Sequence, residues 1–230
     1  MGESLFSIIG PVMVGPSSSH TAGAVRLGLL ARALAGISDA AMPQSVTLSL
    51  YNSFAHTYRG HGTDKGLLGG LLGMAVNDEG IRTAEEKAKA AGLHYTLTPR
   101  FEANTHPENT VVFDIIRSDG SPMRLAGNSI GGGQVAITHL DSFDVSITGE
   151  TPTLVLVYPD KPGMIWKVTK VIAEVGINIA TLQCSRNRRG QDATMVITLD
   201  DPIPATALQG LYDVMGKVSL LRCLDALPMV

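Results

Sequence analysis

The feature that most restricts the fold is the order of hydrophobic periods in the last third of the chain. Residues 153–158 (TLVLVY) form a strand-like run, and Asp160-Lys161-Pro162-Gly163 turns the chain into a helical pattern. There Ile165, Val168, Val171, Ile172 and Val175 recur at the spacing of one helix face. Proline suits the first turn of that helix, where its missing donor is not needed. Gly176 is placed to end the helix, and 177–183 reads as a second strand. A polar hairpin at 186–191 leads to a returning strand at 193–199, a helix at 202–215 and a last strand at 218–227. The order is βαββαβ, the split ferredoxin-like unit. A four-stranded antiparallel sheet carrying both helices on one face covers every apolar surface in about 75 residues.

The preceding region is built differently. Residues 1–148 are rich in glycine and in polar motifs, and 149–152 reads as a linker to an independent domain at 153–230. The fold class expected is α+β, an N-terminal α/β domain followed by the ferredoxin-like one. Four polar clusters punctuate the N-terminal domain. Gly15-Pro16-Ser17-Ser18-Ser19-His20-Thr21 feeds an apolar helical stretch at 24–35. Its hydroxyls can cap free N–H groups, and those same groups with the helix dipole suit a carboxylate. His56 and Arg59 lead to Gly60-His61-Gly62-Thr63-Asp64-Lys65 after an alternating strand at 45–51. Asn104-Thr105-His106-Pro107-Glu108-Asn109-Thr110 precedes a strand at 111–116, and Gly127-Asn128-Ser129-Ile130-Gly131-Gly132-Gly133 reads as a turn between two strands. The last has neither a P-loop nor a dinucleotide pattern. Four polar loops, three with histidine, are best explained as walls of one small-molecule site.

Composition removes several classes of function. The net charge is −3 and the cations are scattered, which argues against nucleic acid. No apolar run reaches the roughly 18–20 residues that cross a bilayer, and the longest, at 67–76, is broken by glycines. The N-terminus lacks the pattern of a secretory signal, so a cytoplasmic location is expected. Cys184 and Cys223 are too few and too far apart for a zinc motif, a disulfide framework or a four-iron cluster, and no metal ligands are assigned to this chain.

Two resemblances follow from these motifs. The D-K-P-G turn and the G-I-N-I segment resemble the ACT domain, a module in which paired copies bind a free amino acid. The resemblance implies a ligand near Asp160, Pro162, Gly163, Met164 and Asn178, and a homodimer through this domain. G-P-S-S-S-H-T, G-H-G-T-D-K, N-T-H-P-x-N-T and S-I-G-G-G together resemble the beta chain of bacterial iron–sulfur L-serine dehydratases, over essentially all 230 residues. Apart from its motifs, the N-terminal domain also resembles the allosteric substrate-binding domain of some serine-pathway dehydrogenases.

The second resemblance implies β-elimination of L-serine to pyruvate and ammonia. It implies a 4Fe-4S cluster held by a separate alpha chain, because the cluster-bearing domain fused on in single-chain relatives is missing here. His20 and His61 are then the acid–base candidates, since imidazole titrates near neutral pH. Ser17, Ser18, Ser19 and Thr21 would hold the substrate carboxylate, Asp64 would orient an imidazole, and Lys65 would add positive charge. Gly62, Thr63, Asn104, Thr105 and Ser129 complete the expected substrate wall, while His56, His94 and His139 are assigned to structure. The competing expectation is a non-catalytic serine sensor that controls a partner enzyme.

Overall fold

The computed structural model describes residues 12–101 and 106–228. They form two compact units, one reaching to Asp141 and another covering Ser142–Pro228.

The first unit starts with a loop at Gly15 that leads into a single π-helical turn, Ser18–Ala22, continuous with helix α1, Gly23–Ala35. Leu27, Leu30 and Leu34 on α1 are fully buried, as expected of a central helix. Gly36 ends it in the left-handed conformation at φ 70°. Strand β1, Ser45–Tyr51, is followed at once by helix α2, Ser53–His61, then by Gly62 and helix α3, Thr63–Leu71. A 3-10 turn, Glu79–Thr83, and helix α4, Ala84–Ala90, lead to β2, Tyr95–Arg100. Strands β3, Thr110–Ile116, β4, Pro122–Gly131, and β5, Gln134–Leu140, complete the unit. Its strands lie in the order β2-β1-β3-β4-β5, parallel between β1 and β2 and antiparallel elsewhere.

Helices α1 and α3 meet almost backbone to backbone. A methyl group on Gly70 would lie 2.1 Å from the Val25 carbonyl oxygen, and one on Gly28 would lie 2.5 Å from that of Leu67. Gly70, one of the glycines that interrupt the apolar run at 67–76, is therefore the contact itself, with Gly28 opposite it. Two sequence readings are corrected here. Residues 56–61 belong to α2, because Ser53, Phe54 and Ala55 open a helix directly after β1. Gly127 to Gly131 are strand, and the turn is confined to Gly132 and Gly133, with Gly131, Gly132 and Gly133 all at positive φ.

The second unit begins with strand β6, Phe143–Ile147. The βαββαβ series then runs β7, Thr153–Pro159; α5, Met164–Glu174; β8, Ile179–Arg186; β9, Asp192–Leu199; α6, Ala205–Met215; and β10, Leu220–Leu224. The sheet order is β10-β7-β9-β8 with antiparallel pairing throughout, the ferredoxin-like arrangement. Met164, Val168 and Ile172 of α5 pack with Leu211 and Met215 of α6 over Leu156, Met195 and Ile197 of the sheet. Helix α5 opens at Met164, directly after the Asp160–Gly163 turn, so Pro162 precedes its first turn rather than standing in it. Gly163 sits at φ 85°, outside helical space, so Pro162 and Gly163 belong to the turn. Ile165 and Val175, expected on the core face, are exposed.

Candidate functional site

Strand register brings the polar clusters to one end of the first sheet. Leu50 pairs with Val111 and Thr110 with Asn128, so the segments after β1, before β3 and at the end of β4 lie side by side. The Ser129 N–H donates to the Asn109 carbonyl at 3.1 Å. Ser129 itself is buried, and a methyl group on Gly23 would strike its Oγ, which places it beside the start of α1.

His20 sits in the π-helical turn between two serines. Ser17 Oγ accepts the His20 N–H at 3.1 Å and lies 3.3 Å from Nδ1, while Ser53 Oγ lies 3.0 Å from Nε2. A neutral imidazole has one N–H and one lone pair, so one serine donates to the ring and the other accepts from it. The His61 ring meets His20 edge to face with centroids 4.8 Å apart, and Phe54 closes another side at 5.4 Å. Thr21 Oγ1 donates to the His61 carbonyl at 2.7 Å, tying the α2–α3 junction to the His20 turn. Nδ1 of His61, Oγ1 of Thr63 and Oδ1 of Asn109 are enclosed without hydrogen-bond partners among the described residues. Such orphaned atoms gather where a ligand or a partner is missing.

The electrostatics favour a neutral His20. Burial, and then the charge of His61, hold its pKa below the ordinary value. Asp64 is displaced the other way. Burial raises its carboxyl, the N–H of Lys65 at 2.8 Å offsets part of that, and Glu85 adds to the rise. Asp64 therefore anchors the first turn of α3, and the donor it meets is a backbone N–H rather than an imidazole.

The other expected residues are distributed as follows. Ser18 and Ser19 are half-buried in the turn, Gly62 holds the left-handed junction at φ 69°, Thr63 is fully enclosed and Lys65 is exposed. Asn104 and Thr105 lie outside the described residues. The sequence reading missed Asn52, Ser53 and Glu108. Asn52 adopts φ 52°, rare for a residue with a side chain, and donates Nδ2 to the carbonyls of His106 at 2.6 Å and Pro107 at 3.0 Å. Glu108 accepts the Ser53 N–H at 3.3 Å, a carboxylate at a helix N-terminus. An Asn-Ser pair directly after a strand was the available signal for this helix start.

A second cavity, of about 360 Å³, lies in the second unit. Asp160, Pro162, Gly163 and Met164 line it, and Arg186 joins them with its guanidinium 2.9 Å from the Asp160 carboxylate. Tyr158 Oη lies 3.3 Å from Cys184 Sγ in the same wall. Asn178 is directed elsewhere, donating to Asp200 at 2.9 Å, because the chain enters β8 only at Ile179.

The sequence matches known families in both units. Residues 4–104 match the model of the serine dehydratase beta chain, and 153–211 match the ACT domain. The chain is 40% identical over 223 residues to the probable L-serine dehydratase, beta chain of Bacillus subtilis, covering 97% of this chain and 99% of that one. The chain belongs to the L-serine dehydratase beta-chain family. A second beta chain, from Peptoniphilus asaccharolyticus, is 36% identical over 87% of this chain and 88% of its own length. Among solved structures, the regulatory subunit of aspartate kinase from Thermus thermophilus covers 32% of this beta chain at 23% identity, with a TM-score of 0.26. No helix among the described residues of the beta chain is long and apolar enough to cross a membrane.

Proposed function

We propose that this beta chain supplies substrate contacts and a proton acceptor to a cytoplasmic, two-chain L-serine dehydratase completed by a separate alpha chain. The observation that carries the proposal is His20, held between two serine hydroxyls and facing a second imidazole. β-Elimination of serine requires removal of a weakly acidic α-proton and loss of hydroxide, a poor leaving group. A neutral imidazole whose protonated form is disfavoured can accept that proton at physiological pH. Ser17 and Ser53 hold the ring by one hydroxyl at each of its nitrogens. His61, with its orphaned Nδ1, is positioned to orient the substrate hydroxyl or return a proton.

This chain's own residues do not fit an iron–sulfur cluster. Cys184 lies on edge strand β8 and Cys223 on the opposite edge, β10, with two strands between them. Among the described residues no three His, Cys, Asp or Glu side chains are grouped as metal ligands. We accordingly assign the 4Fe-4S cluster to the alpha chain.

For the second unit we propose an amino-acid site at the cavity of Asp160, Gly163, Met164 and Arg186, where one ionic group of each sign can meet a zwitterion. That cavity also supports the competing reading, a serine sensor without catalysis. We further propose that the unit dimerises through β8 and α5. Strand β8 pairs on one side only, and Ile165, Trp166 and Leu182 are exposed apolar side chains.

Co-expression with the cognate alpha chain, kept anaerobic with iron and sulfide, tests the proposal. Pyruvate formation from L-serine in the mixture and from neither chain alone is the expected result. An inactive mixture with an intact cluster overturns the dehydratase reading in favour of the sensor.

A further inference from the structure

A cavity of about 370 Å³ in the first unit shares Thr21 and Gly62 with the imidazole cluster, yet neither His20 nor His61 forms part of its wall. Its cations come from three separate elements: Arg59 from α2, Lys65 from α3 and Arg82 from the 3-10 turn. Arg82 is neutralised by Glu79 at 2.6 Å. Arg59 rests against the Tyr58 ring at 5.5 Å, and among the described residues no carboxylate lies within ion-pair distance of Arg59 or Lys65. With Glu79 on Arg82, and the Asp64 carboxyl in the field of Lys65, the three cations still outnumber the carboxylates that act on them, in a chain whose net charge is −3. Like charges brought together without counter-charges repel, and an anion bound among them relieves that repulsion.

The rest of the wall is firm and apolar. Val14 and Ile81 are buried in one cluster with Ala22, Val25 and Val76, and the Val14 N–H donates to the Val76 carbonyl at 2.9 Å. No Asp or Glu lines the cavity among the described residues, so the ammonium of a free amino acid would find no carboxylate there. The charge pattern suits a ligand that is negative without being zwitterionic.

We propose that this cavity is a second binding site, separate from the imidazole centre, for a small dianion that presents a phosphate or a pair of carboxylates. Arg59 and Lys65 supply its principal charges, Arg82 closes the rim, and the apolar floor takes the short carbon body of an organic ligand. Occupancy is sensed by the catalytic loops through Thr21, whose hydroxyl holds the His61 carbonyl, and through the Gly62 junction. The site therefore acts as an effector site on the orientation of His61.

The test is calorimetric titration of the full beta chain with inorganic phosphate and, separately, succinate, against sodium chloride at equal ionic strength. Saturable single-site binding of at least one dianion is expected, and the one that binds identifies the headgroup. Charge-assisted hydrogen bonds justify an expected weakening of about tenfold or more in Arg59→Ala and in Arg82→Ala. Arg59→Lys should retain part of the affinity, which separates charge from folding damage. His20→Ala and the remote Lys170→Ala should bind as wild type. Non-saturable heat for both dianions, or undiminished binding in both arginine variants, overturns the proposal. Loss of binding in His20→Ala overturns it too, because the anion then belongs to the imidazole centre. No alpha chain and no turnover enter the readout, so the outcome is independent of the dehydratase proposal.

Discussion

His20 and His61 meet edge to face at 4.8 Å, so His20 titrates in the field of His61. Burial is the larger cause of the lowered His20 pKa, and the His61 charge is the second. In the assembled enzyme kcat/KM for serine should therefore fall on acidification with a midpoint below 6.5, the ordinary imidazole value. In His61→Gln the second cause is gone, and the His20 proton resonances should titrate closer to 6.5 than in wild type. The stability linkage has the same origin. A group with a lowered native pKa is protonated first in the unfolded chain, so stability is lost as pH falls through 6.5 toward the native value. NMR titration of the isolated beta chain checks this, and an unmoved His20 curve in His61→Gln would refute the coupling.

Ser53 contacts the ring nitrogen of His20 that Ser17 does not reach. Ser53→Ala should lower kcat with little change in KM, because it frees the ring without removing a substrate contact. Loss of one positioning hydrogen bond of about 0.5–1.5 kcal/mol corresponds to a fall of roughly two- to tenfold. Ser53→Thr, which keeps the hydroxyl, should restore much of it. The His20 tautomer reported by ¹⁵N shifts separates positioning from a general loss of fold. A wild-type tautomer ratio in Ser53→Ala would end the argument.

Asp64 carries the opposite linkage. Its native carboxyl is raised above 3.8 by burial, so stability is lost as pH rises from that value through the raised one. Asp64→Asn keeps an acceptor for the Lys65 N–H and removes the buried charge. Thermal unfolding at neutral pH should show the Asp64→Asn variant at least as stable as wild type, with the advantage shrinking as pH falls toward 4. A variant less stable at every pH would show that the hydrogen bond, rather than the charge, dominates.

What could be read from the sequence divides along physical lines. Alternating and helical apolar periods fix elements whose cores are local, and β1 and the ferredoxin-like series appear where expected, with ends displaced by a few residues. Strand register is another matter. Nothing in residues 104–110 or 127–133 announces that β3 and β4 will pair so that Asn109 and Ser129 flank the His20 turn, because pairing is set by contacts distant in sequence. Ser53 was missed for a related reason. Its role depends on α2 folding back at the strained Asn52, with φ 52°, and a lone serine in sequence carries no sign of the imidazole it will face. His20 and His61 were legible because glycines and hydroxyls surround both.

Gly70 tests the contact between α1 and α3. A methyl group there would lie 2.1 Å from the Val25 carbonyl oxygen and 2.8 Å from the Gly28 Cα, so backbone rather than a pliable side chain would have to move. Overpacking of a buried contact commonly costs about 1–3 kcal/mol, and a backbone obstacle places Gly70→Ala at or above the upper end. Gly60→Ala is the matched control, since an added methyl group there meets nothing within 4 Å. Helix α3 opens directly after Gly62, so a shift of α3 should also disturb the His61 resonances. Urea unfolding of the two variants should therefore show a large loss for Gly70→Ala and almost none for Gly60→Ala. Equal losses would mean that the helices are less closely seated than their glycines require.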